Sequence, residues 1–404
     1  MTLRILVLTP TYPLQSHPEF AITPWLWRIL QEARSQGFQI LVLASSYRGD
    51  LRDHAPPFSV VRYRYAPAPL ETLTHEQAIY TALKQTPWKW LLVPSLLLGG
   101  ARQAAVLRHR FRPHLVHVHW PVPFVLQAMP LPRVPWLLTF HGSDLALLLQ
   151  YPGLRRLFAP LLRRAAAITV NSGFTRDRLQ QLIPGLRRVE VLPLPPAMKI
   201  PPPDQWPARD PHRLLFVGRF IELKGGDILL RAFQQVVQAV PEARLVMVGS
   251  GPEEARWRAL ARELGVADRV VFRGRVPPEH LVQEYPRAAV VVVPSYEIAT
   301  GQTEALGVVA IEAQAFGTPV VASRTGGLPE VVLHGETGLL VPERDPEALA
   351  RALIRLLRDP ELRHRMGENA RKHYEEHFSA QSLGHRLAHL YRSLVRGRDP
   401  DRVN

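Results

Sequence analysis

The 404-residue chain is long enough for two domains of ordinary size, each with its own hydrophobic core. It has no cysteine, so disulfides, thiolate metal sites and a cysteine nucleophile are excluded. Its net charge of +15 is unevenly placed, because residues 1–200 hold 23 Lys and Arg against 9 Asp and Glu, a net of +14. A basic half-molecule favours an anionic partner, but no helix-turn-helix, zinc-finger or RNA-recognition motif points to nucleic acid.

The first residues enter an apolar strand directly, near 3–8, and show no signal-peptide pattern. Further strands are predicted near 39–43, 115–118, 136–140 and 168–170, with helical stretches such as 25–35 between them. The loop after the first strand, 9–21, contains no glycine. This disfavours a Rossmann oxidoreductase, because its phosphate-binding turn needs G-x-G-x-x-G at that place.

A segment of mixed character begins at Pro87, where tryptophans and leucines lie next to cations. Its members are Trp88, Lys89, Trp90, Leu91 and Leu92, followed by Arg102, Arg108, Arg110 and Arg112. The mixture is typical of a segment lying in a membrane interface, and a core helix with a basic outer face explains it equally well. The apolar run 91–100 is far shorter than the ~20 residues of a spanning helix. We therefore expect a cytoplasmic protein, with peripheral contact to an anionic membrane as one of the two alternatives.

Histidines follow two of the predicted strands. His141 comes directly after the strand 136–140, at the edge of the sheet where open α/β sheets bind ligands, although a turn histidine bonded to backbone is the simpler alternative. Asp144 is expected to cap the following helix. His117 and His119 share one face of a strand end, but no further zinc ligand stands out, so contact with an acceptor substrate is favoured over a metal.

Eight prolines between residues 193 and 211 exclude a helix or a central strand there and mark an interdomain linker. We expect an N-terminal domain over 1–192, the linker over 193–211, a C-terminal domain over 212–378, and a helix with a frayed tail over 379–404. Strands of the second domain are predicted near 214–217, 244–248, 270–272, 290–293, 319–322 and 338–341. Strands that alternate with helices in this way imply two parallel sheets.

Two cations, Arg219 and Lys224, follow the first strand of the second domain in the pattern G-R-F-x-x-x-K-G. Surface cations are usually only solvated. Cations just beyond the carboxyl end of a strand, however, suit a diphosphate.

About ninety residues further on, Glu304 and Glu312 have the spacing E-x7-E. A helix is predicted from about 307 to 316, ended by Gly317. Its start leaves four backbone N–H groups at the positive end of the helix dipole, which is a phosphate site; they belong to Leu306, Gly307, Val308 and Val309. Glu312 is close enough to this end to bind a ribose. Taken alone, the pair also suits an amphipathic helix with two solvated glutamates, and the cations upstream favour a sugar-nucleotide site.

These motifs resemble the retaining glycosyltransferases of family 4, and the resemblance runs from about residue 3 to 378. Other matching stretches are T-F-H-G-S-D at 139–144, V-G-R at 217–219, V-G-S-G-P at 248–252, V-P-S at 293–295 and G-G-L-P-E at 326–330. The subgroup is similar to enzymes that build exopolysaccharides on lipid carriers. The resemblance implies the GT-B fold, with two Rossmann-like domains whose parallel sheets face each other across a cleft. The first domain binds the acceptor, the second binds the nucleotide sugar, and the last helix crosses back to the first.

The resemblance also implies the roles of the site residues. His141 faces the donor sugar and phosphate, Glu304 holds sugar hydroxyls and Glu312 holds the ribose. The backbone around Arg273 and Gly274 contacts the base. Arg219, Lys224 and the helix start stabilise the leaving diphosphate by charge. We therefore expect retaining transfer without a metal or other cofactor, from a UDP- or GDP-sugar to a glycan or lipid-linked acceptor.

Three stretches depart from the family pattern. They are the glycine-free loop 9–21, Ala305 in place of the first glycine of E-G-F-G, and L-P-L-P-P at 192–196 where relatives often have Asn-Gly. Because of them, a catalytically silent relative that binds a nucleotide and acts as an assembly partner is the alternative to an enzyme.

Overall fold

The computed structural model describes residues 2–14, 23–51, 58–76 and 79–396. Most of the glycine-free loop 9–21 and all of the predicted tail beyond residue 396 lie outside this part. The chain divides into two compact units. The first unit comprises Met1–Asn171, Thr175–Pro193 and Leu383–Asn404, and the second comprises Ser172–Phe174 and Leu194–Ser382.

The first unit contains a seven-stranded parallel sheet in the order β3-β2-β1-β4-β5-β6-β7. Its strands are β1 (Arg4–Thr9), β2 (Gln39–Ser45), β3 (Ser59–Tyr63), β4 (Leu115–His119), β5 (Trp136–Thr139), β6 (Ala167–Val170) and β7 (Val189–Val191). Strands covered on both faces need apolar side chains on both faces. The run Ile5–Leu8 in β1 accordingly has no exposed side chain.

Helices cover both faces of this sheet. They are α1 (Pro24–Ser35), α2 (Ile79–Gln85), α3 (Leu92–Arg110), α4 (Pro121–Phe124), α5 (Ser143–Gln150), α6 (Pro152–Arg164), α7 (Gly173–Leu182) and, from the other end of the chain, α15 (Ala380–Arg396). α1 and α15 pack together on one face, through buried residues such as Leu30 and Leu387. The two helices approach so closely that a Cβ at Gly384 would lie 2.2 Å from Cβ of Glu32.

The second unit contains a six-stranded parallel sheet in the order β10-β9-β8-β11-β12-β13. The strands are β8 (Arg213–Val217), β9 (Arg244–Val248), β10 (Val270–Gly274), β11 (Val290–Val293), β12 (Val320–Ser323) and β13 (Gly338–Val341). The helices are α8 (Gly226–Ala239), α9 (Glu254–Glu263), α10 (Pro278–Arg287), α11 (Val308–Ala315), α12 (Leu328–Val331), α13 (Pro346–Arg358) and α14 (Pro360–His377). The fold class predicted from the sequence, two α/β units with parallel sheets, is thus confirmed.

Each sheet reverses its strand order at one place. In the first unit this switch point lies between β1 and β4, and in the second it lies between β8 and β11. Ligands of open α/β sheets bind outside the carboxyl ends of the strands at such a point. In the second unit, the loops after β8 and β11 are the ones that carry Arg219, Lys224 and Glu304.

The sequence-based expectation that the apolar segment after Pro87 is too short to span a membrane is wrong as far as its length is concerned. A short 3-10 turn over Pro87–Leu91 continues directly into α3, which gives a helical stretch of 24 residues, Pro87–Arg110. By length and composition this stretch is apolar enough to cross a membrane, and 28% of its most apolar window is buried. Core helices of soluble proteins meet the same criterion.

Candidate functional site

In the second unit, the loop after β8 lies against the loop after β11. Gly225 is the N-cap of α8 with a left-handed φ of +66°, and a Cβ there would lie 2.0 Å from the carbonyl oxygen of Pro294. Only a residue without a Cβ allows this approach. The glycine therefore brings the loop with Lys224 against the loop that leads to Glu304.

Lys224 and Glu304, eighty positions apart in the sequence, form an ion pair. The Nζ of Lys224 donates to Oε2 of Glu304, and the hydroxyl of Ser295 lies 3.5 Å from the same oxygen. The two side chains keep 18% and 15% of their exposure, so the pair is reachable from solvent. An anionic ligand at Lys224 would have to share this cation with Glu304.

Arg219 lies on the same loop as Lys224 but in a different environment. Its side chain is exposed, and among the described residues it has no hydrogen-bond or ion-pair partner. The structure therefore provides one paired and one unpaired cation at the carboxyl end of β8. Both suit a ligand with two negative charges.

The start of α11 is left open by its surroundings. Gly307 is its N-cap with φ +89°, and no side chain caps the helix. Val308 and Val309 occupy the first turn, and no acceptor in the described part of the chain is bound to their N–H groups. Unpaired N–H groups at the positive end of a helix attract an anion. Ala305 does not have a positive φ, so its extra methyl group causes no backbone strain.

Glu312 is buried rather than solvated, which excludes the amphipathic-helix alternative. Its side chain in α11 is 8% exposed and accepts a hydrogen bond from the hydroxyl of Tyr285 in α10. Burial raises the pKa of Glu312 to about 7, against the opposing effect of the Tyr285 hydrogen bond. Sequence reasoning missed Tyr285, because no motif marks it.

The side chain of Arg273 is bound to a protein carboxylate and is therefore not free to bind a ligand. Its Nη1 donates to Oε1 of Glu284 at 2.8 Å, and Glu284 also pairs with the buried Arg213. Gly274 has φ +69°, and its carbonyl accepts the N–H of Gly249 at 2.8 Å. The backbone at the end of β10, and not the guanidinium of Arg273, is the part that could meet a base.

In the first unit, His141 follows β5 and is paired with a second histidine. Its Nε2 lies 3.0 Å from Nδ1 of His119, and the two rings are stacked. Burial, followed by the charge of the other ring, lowers the pKa of His141 well below 6.5, and burial lowers that of His119 to about 3. Both imidazoles are therefore neutral at ordinary pH.

Asp144 has a different role from the predicted one. The N-cap of α5 is Gly142, whereas Asp144 lies in the first turn of the helix. Its carboxylate accepts the N–H groups of His141 at 3.1 Å and Gly142 at 3.0 Å. It thereby fixes the turn that carries His141.

His117 is fully engaged by protein groups. Its Nδ1 lies 2.7 Å from the hydroxyl of Tyr391 in α15, and its Nε2 lies 2.6 Å from Oγ1 of Thr139. With both nitrogens occupied, His117 is not free to bind a metal or an acceptor. The described residues contain no group of three or more His, Cys, Asp and Glu side chains that could hold a metal ion.

Comparison with known families defines the class of this protein. The profile described as "Glycosyltransferase Family 4" matches residues 24–195, and the profile described as "Glycosyl transferases group 1" matches residues 203–373. A solved structure of sucrose-phosphate synthase from Thermosynechococcus elongatus is similar over 98% of this chain and 100% of its own, with a TM-score of 0.69 at 23% identity. That likeness shows the GT-B fold. The chain belongs to the family 4 glycosyltransferases.

Two relatives are similar to this chain over part of its length. D-inositol 3-phosphate glycosyltransferase of Corynebacterium jeikeium is 45% identical over 186 residues, which are 44% of this chain and 43% of that protein. GDP-mannose-dependent alpha-(1-6)-phosphatidylinositol monomannoside mannosyltransferase of Mycolicibacterium smegmatis is 34% identical over 237 residues, 56% of this chain and 62% of that protein. The matches thus span about two fifths to three fifths of the relatives' lengths.

Proposed function

We propose that this chain is a retaining, metal-independent glycosyltransferase that moves a sugar from a nucleotide diphosphate sugar to a glycan or lipid-linked acceptor. The observation that carries the proposal is the Lys224–Glu304 pair beside the open start of α11, at the switch point of the second sheet. The site offers positive charge to a leaving diphosphate and a carboxylate to a sugar. We assign donor binding to the second unit and acceptor binding to the first.

The cations and the helix start have the role of a charge clamp. Lys224, Arg219 and the N–H groups of Val308 and Val309 stabilise the negative charge that develops on the diphosphate as its bond to the sugar breaks. Glu304 then exchanges its contact with Lys224 for the hydroxyls of the donor sugar. This clamp is the reason for proposing that no metal is needed.

Glu312 is assigned to the ribose of the nucleotide. It lies in α11, and one of its oxygens is oriented by Tyr285. A ribose has two vicinal hydroxyls that donate to a carboxylate, which favours the charged form of Glu312. The backbone at Arg273 and Gly274 is assigned to the base.

The relatives' names narrow the first substrates to test. One names GDP-mannose as donor with a phosphatidylinositol monomannoside acceptor, and the other names inositol 3-phosphate. We propose a GDP- or UDP-sugar as donor. A panel of both, screened for thermal stabilisation, identifies the donor, since a ligand at 100 times its dissociation constant adds about 2.7 kcal/mol. Binding without any turnover would favour the silent assembly partner instead, and the absence of stabilisation by every nucleotide sugar would contradict the proposal.

We further propose that the enzyme is cytoplasmic and that the stretch Pro87–Arg110 rests on an anionic membrane. Large apolar side chains in its first half are exposed: Trp88 (47%), Trp90 (55%), Leu91 (80%) and Leu98 (69%). Arg102, Arg108 and Arg110 are exposed further along. Exposed tryptophan and leucine next to cations suit the boundary between acyl chains and anionic headgroups.

A further inference from the structure

A cavity of about 840 Å³ lies at the amino edge of the second sheet, whereas Lys224 and Glu304 lie at the carboxyl edge. It is bordered by the segment before β8, by the residues between α11 and β12, and by α14. The open start of α11 is at the candidate donor site, and its last residue, Ala315, precedes Phe316 and Gly317 of the cavity. Because α11 has eight residues, its two ends are about 12 Å apart. The cavity is therefore a separate place, which we call the amino-edge pocket.

Two arginines that line this pocket are buried with little opposing charge. Arg363 in α14 is 8% exposed, and Arg209 before β8 is partly buried. Burial, followed by the charge of Arg363, lowers the pKa of Arg209 to about 10. Asp359, the N-cap of α14, offsets part of the charge of Arg363, but no described carboxylate forms an ion pair with either guanidinium. Buried charges are costly without a close opposite charge, so the two arginines favour a bound anion.

Each of these arginines binds the end of a helix through only one of its nitrogens. Nη2 of Arg209 donates at 3.0 Å to the carbonyl of Gly317, just after α11. Nη1 of Arg363 donates to the carbonyls of Leu356 at 2.8 Å and Leu357 at 3.1 Å, in the last turn of α13. Cations stabilise helix ends in this way.

The other nitrogens of the two side chains remain for a ligand. Nε and Nη1 of Arg209, and Nε and Nη2 of Arg363, have no hydrogen-bond partner in the part of the chain that the structure describes. None of the four is among the fully buried unpaired atoms, so solvent reaches them. A guanidinium that caps a helix with one nitrogen can therefore contact an anion with the others.

The two glutamates of the pocket have partners of their own. Glu375 accepts a hydrogen bond from Nε of Arg371 at 2.6 Å, and Glu368 lies 3.4 Å from Nε2 of His364. Both pairs join residues four apart on the surface of α14. Neither carboxylate is thus bound to the two buried arginines.

The size and the walls of the pocket favour a small organic phosphate. Guanidinium groups match the oxygens of phosphates and carboxylates. Two neighbouring arginines favour two negative charges on one centre, which a phosphate monoester supplies and a single carboxylate does not. Pro203, Trp206 and Pro360 add apolar surface to the walls. The volume of about 840 Å³ suits a whole small molecule better than an inorganic ion.

We propose that the amino-edge pocket binds a small organic phosphate monoester. Its phosphate group contacts Arg209 and Arg363, and its organic part lies against Trp206. The site is additional to the donor site of the proposed function, since it contains none of the residues of the charge clamp.

Calorimetric titration of the full chain with phenyl phosphate at pH 8 tests this site, without nucleotide and with GDP or UDP at saturation. A phosphate monoester carries two negative charges at this pH. Phenyl phosphate should bind under both conditions, about tenfold more tightly than inorganic phosphate because its ring covers apolar surface. Phenol, which lacks the phosphate, should not bind.

Replacing the two arginines identifies the place of binding. Arg209→Gln and Arg363→Gln should each weaken phenyl phosphate binding about tenfold or more, because each removes a charge-assisted contact. Arg209→Lys, which keeps the charge, should recover part of the affinity. Arg365→Gln, the same change at an exposed arginine of α14 outside the pocket, should change nothing.

A variant at an exposed position covers the case in which loss of a helix-capping arginine prevents folding. His364 lines the pocket and is exposed. His364→Glu adds a negative charge there and should weaken phenyl phosphate binding about threefold or more. Thermal melting shows which of the variants are folded.

Several outcomes would overturn the proposal. They are no binding of phenyl phosphate, its displacement by GDP or UDP, and equally tight binding of inorganic phosphate or phenol. Unchanged affinity in folded Arg209→Gln and Arg363→Gln, or in His364→Glu where neither of those folds, would overturn it as well. A chain without glycosyltransferase activity would still bind phenyl phosphate, so failure of the proposed function is distinguishable from failure of this site.

Discussion

The two switch points of this protein have the same topology and opposite chemistry. At the second, an ion pair, an exposed arginine and an open helix start surround the carboxyl ends of β8 and β11. At the first, neutral histidines and tryptophans surround the carboxyl ends of β4 and β5. In open α/β sheets the strand order determines the edge at which ligands bind. We propose that the loop residues at each edge decide whether that ligand is charged.

The largest effect is expected when positive charge is removed from the second switch point. Lys224→Ala should cost a charge-assisted contact of about 1.5–3 kcal/mol and weaken nucleoside diphosphate binding roughly 10- to 150-fold. Arg219→Ala should also weaken nucleoside diphosphate binding. Calorimetry measures both, with Lys372→Ala, an exposed lysine on α14, as the control. Unchanged affinity in both variants would show that the charge clamp is wrongly placed.

A second experiment separates the two glutamates. Glu312→Gln should weaken binding of the sugar-free diphosphate about tenfold, because the ribose loses a charged acceptor. Glu304→Gln should leave that affinity within about twofold and reduce turnover of the full donor, because its contact is with the sugar. Equal losses for nucleotide and nucleotide sugar in both variants would show that the roles are wrongly divided.

If Glu312 binds the ribose as proposed, its raised pKa should make nucleotide binding at the second switch point depend on pH. Because the pKa is raised to about 7 and the ribose prefers the carboxylate, affinity should rise severalfold between pH 6 and pH 8. Glu312→Gln should remove this part of the profile, while the titration of the nucleotide's own phosphate remains. Comparing the pH profiles of nucleotide affinity for the wild-type chain and Glu312→Gln checks the assignment of Glu312 to the ribose. Identical profiles would contradict it.

The free energy of unfolding should change with pH in the opposite direction to the nucleotide affinity. A carboxyl whose pKa is raised on folding binds more protons in the folded state, so its contribution is present below pH 4.5 and is lost as the pH rises through about 7. Glu312→Gln should therefore flatten the fall in unfolding free energy between pH 5 and pH 8. Denaturant titration at each pH measures this fall. An unchanged fall would assign the titration to another group, such as Asp144, whose pKa burial also raises to about 7.

The smallest expected effect concerns the basic first unit. Vesicles containing anionic lipid should sediment more protein than neutral vesicles, and the difference should shrink as salt shortens the screening length from ~10 Å at 0.1 M to ~3 Å at 1 M. Replacing Trp88 and Trp90 by alanine should weaken attachment further. Equal binding to both vesicle types at low salt would contradict membrane attachment and leave the surface charge as a solubility feature.

Most of the fold could be predicted because parallel strands covered on both faces appear as continuous apolar runs, such as the four valines of β11. The strands missed were β3 and β7, which lie at the two edges of the first sheet. β7 has only three residues, all partly exposed, and β3 includes Arg62, whose guanidinium bonds to the carbonyl of Pro13 at 2.9 Å. Neither gives the apolar run of a central strand.

Spacing along the chain identified Lys224, Glu304 and Glu312 as candidates but not their partners. The Lys224–Glu304 pair depends on β8 and β11 being neighbours, which only the strand order shows. Tyr285 and Trp25 contact Glu312 and His141 from helices without a motif, so no sequence signal distinguishes them from core residues. His117, by contrast, was conspicuous in the sequence and is a structural contact of α15.

Retaining, metal-independent transfer can be tested by following one reaction by NMR. The wild-type chain is incubated with the GDP- or UDP-sugar that stabilises it, a glycan or lipid-linked acceptor, and EDTA. We expect the donor to be consumed and the glycosidic product to keep the anomeric configuration of the donor, at the same rate with and without the chelator. Tight donor binding without product, or a product of inverted configuration, would contradict it.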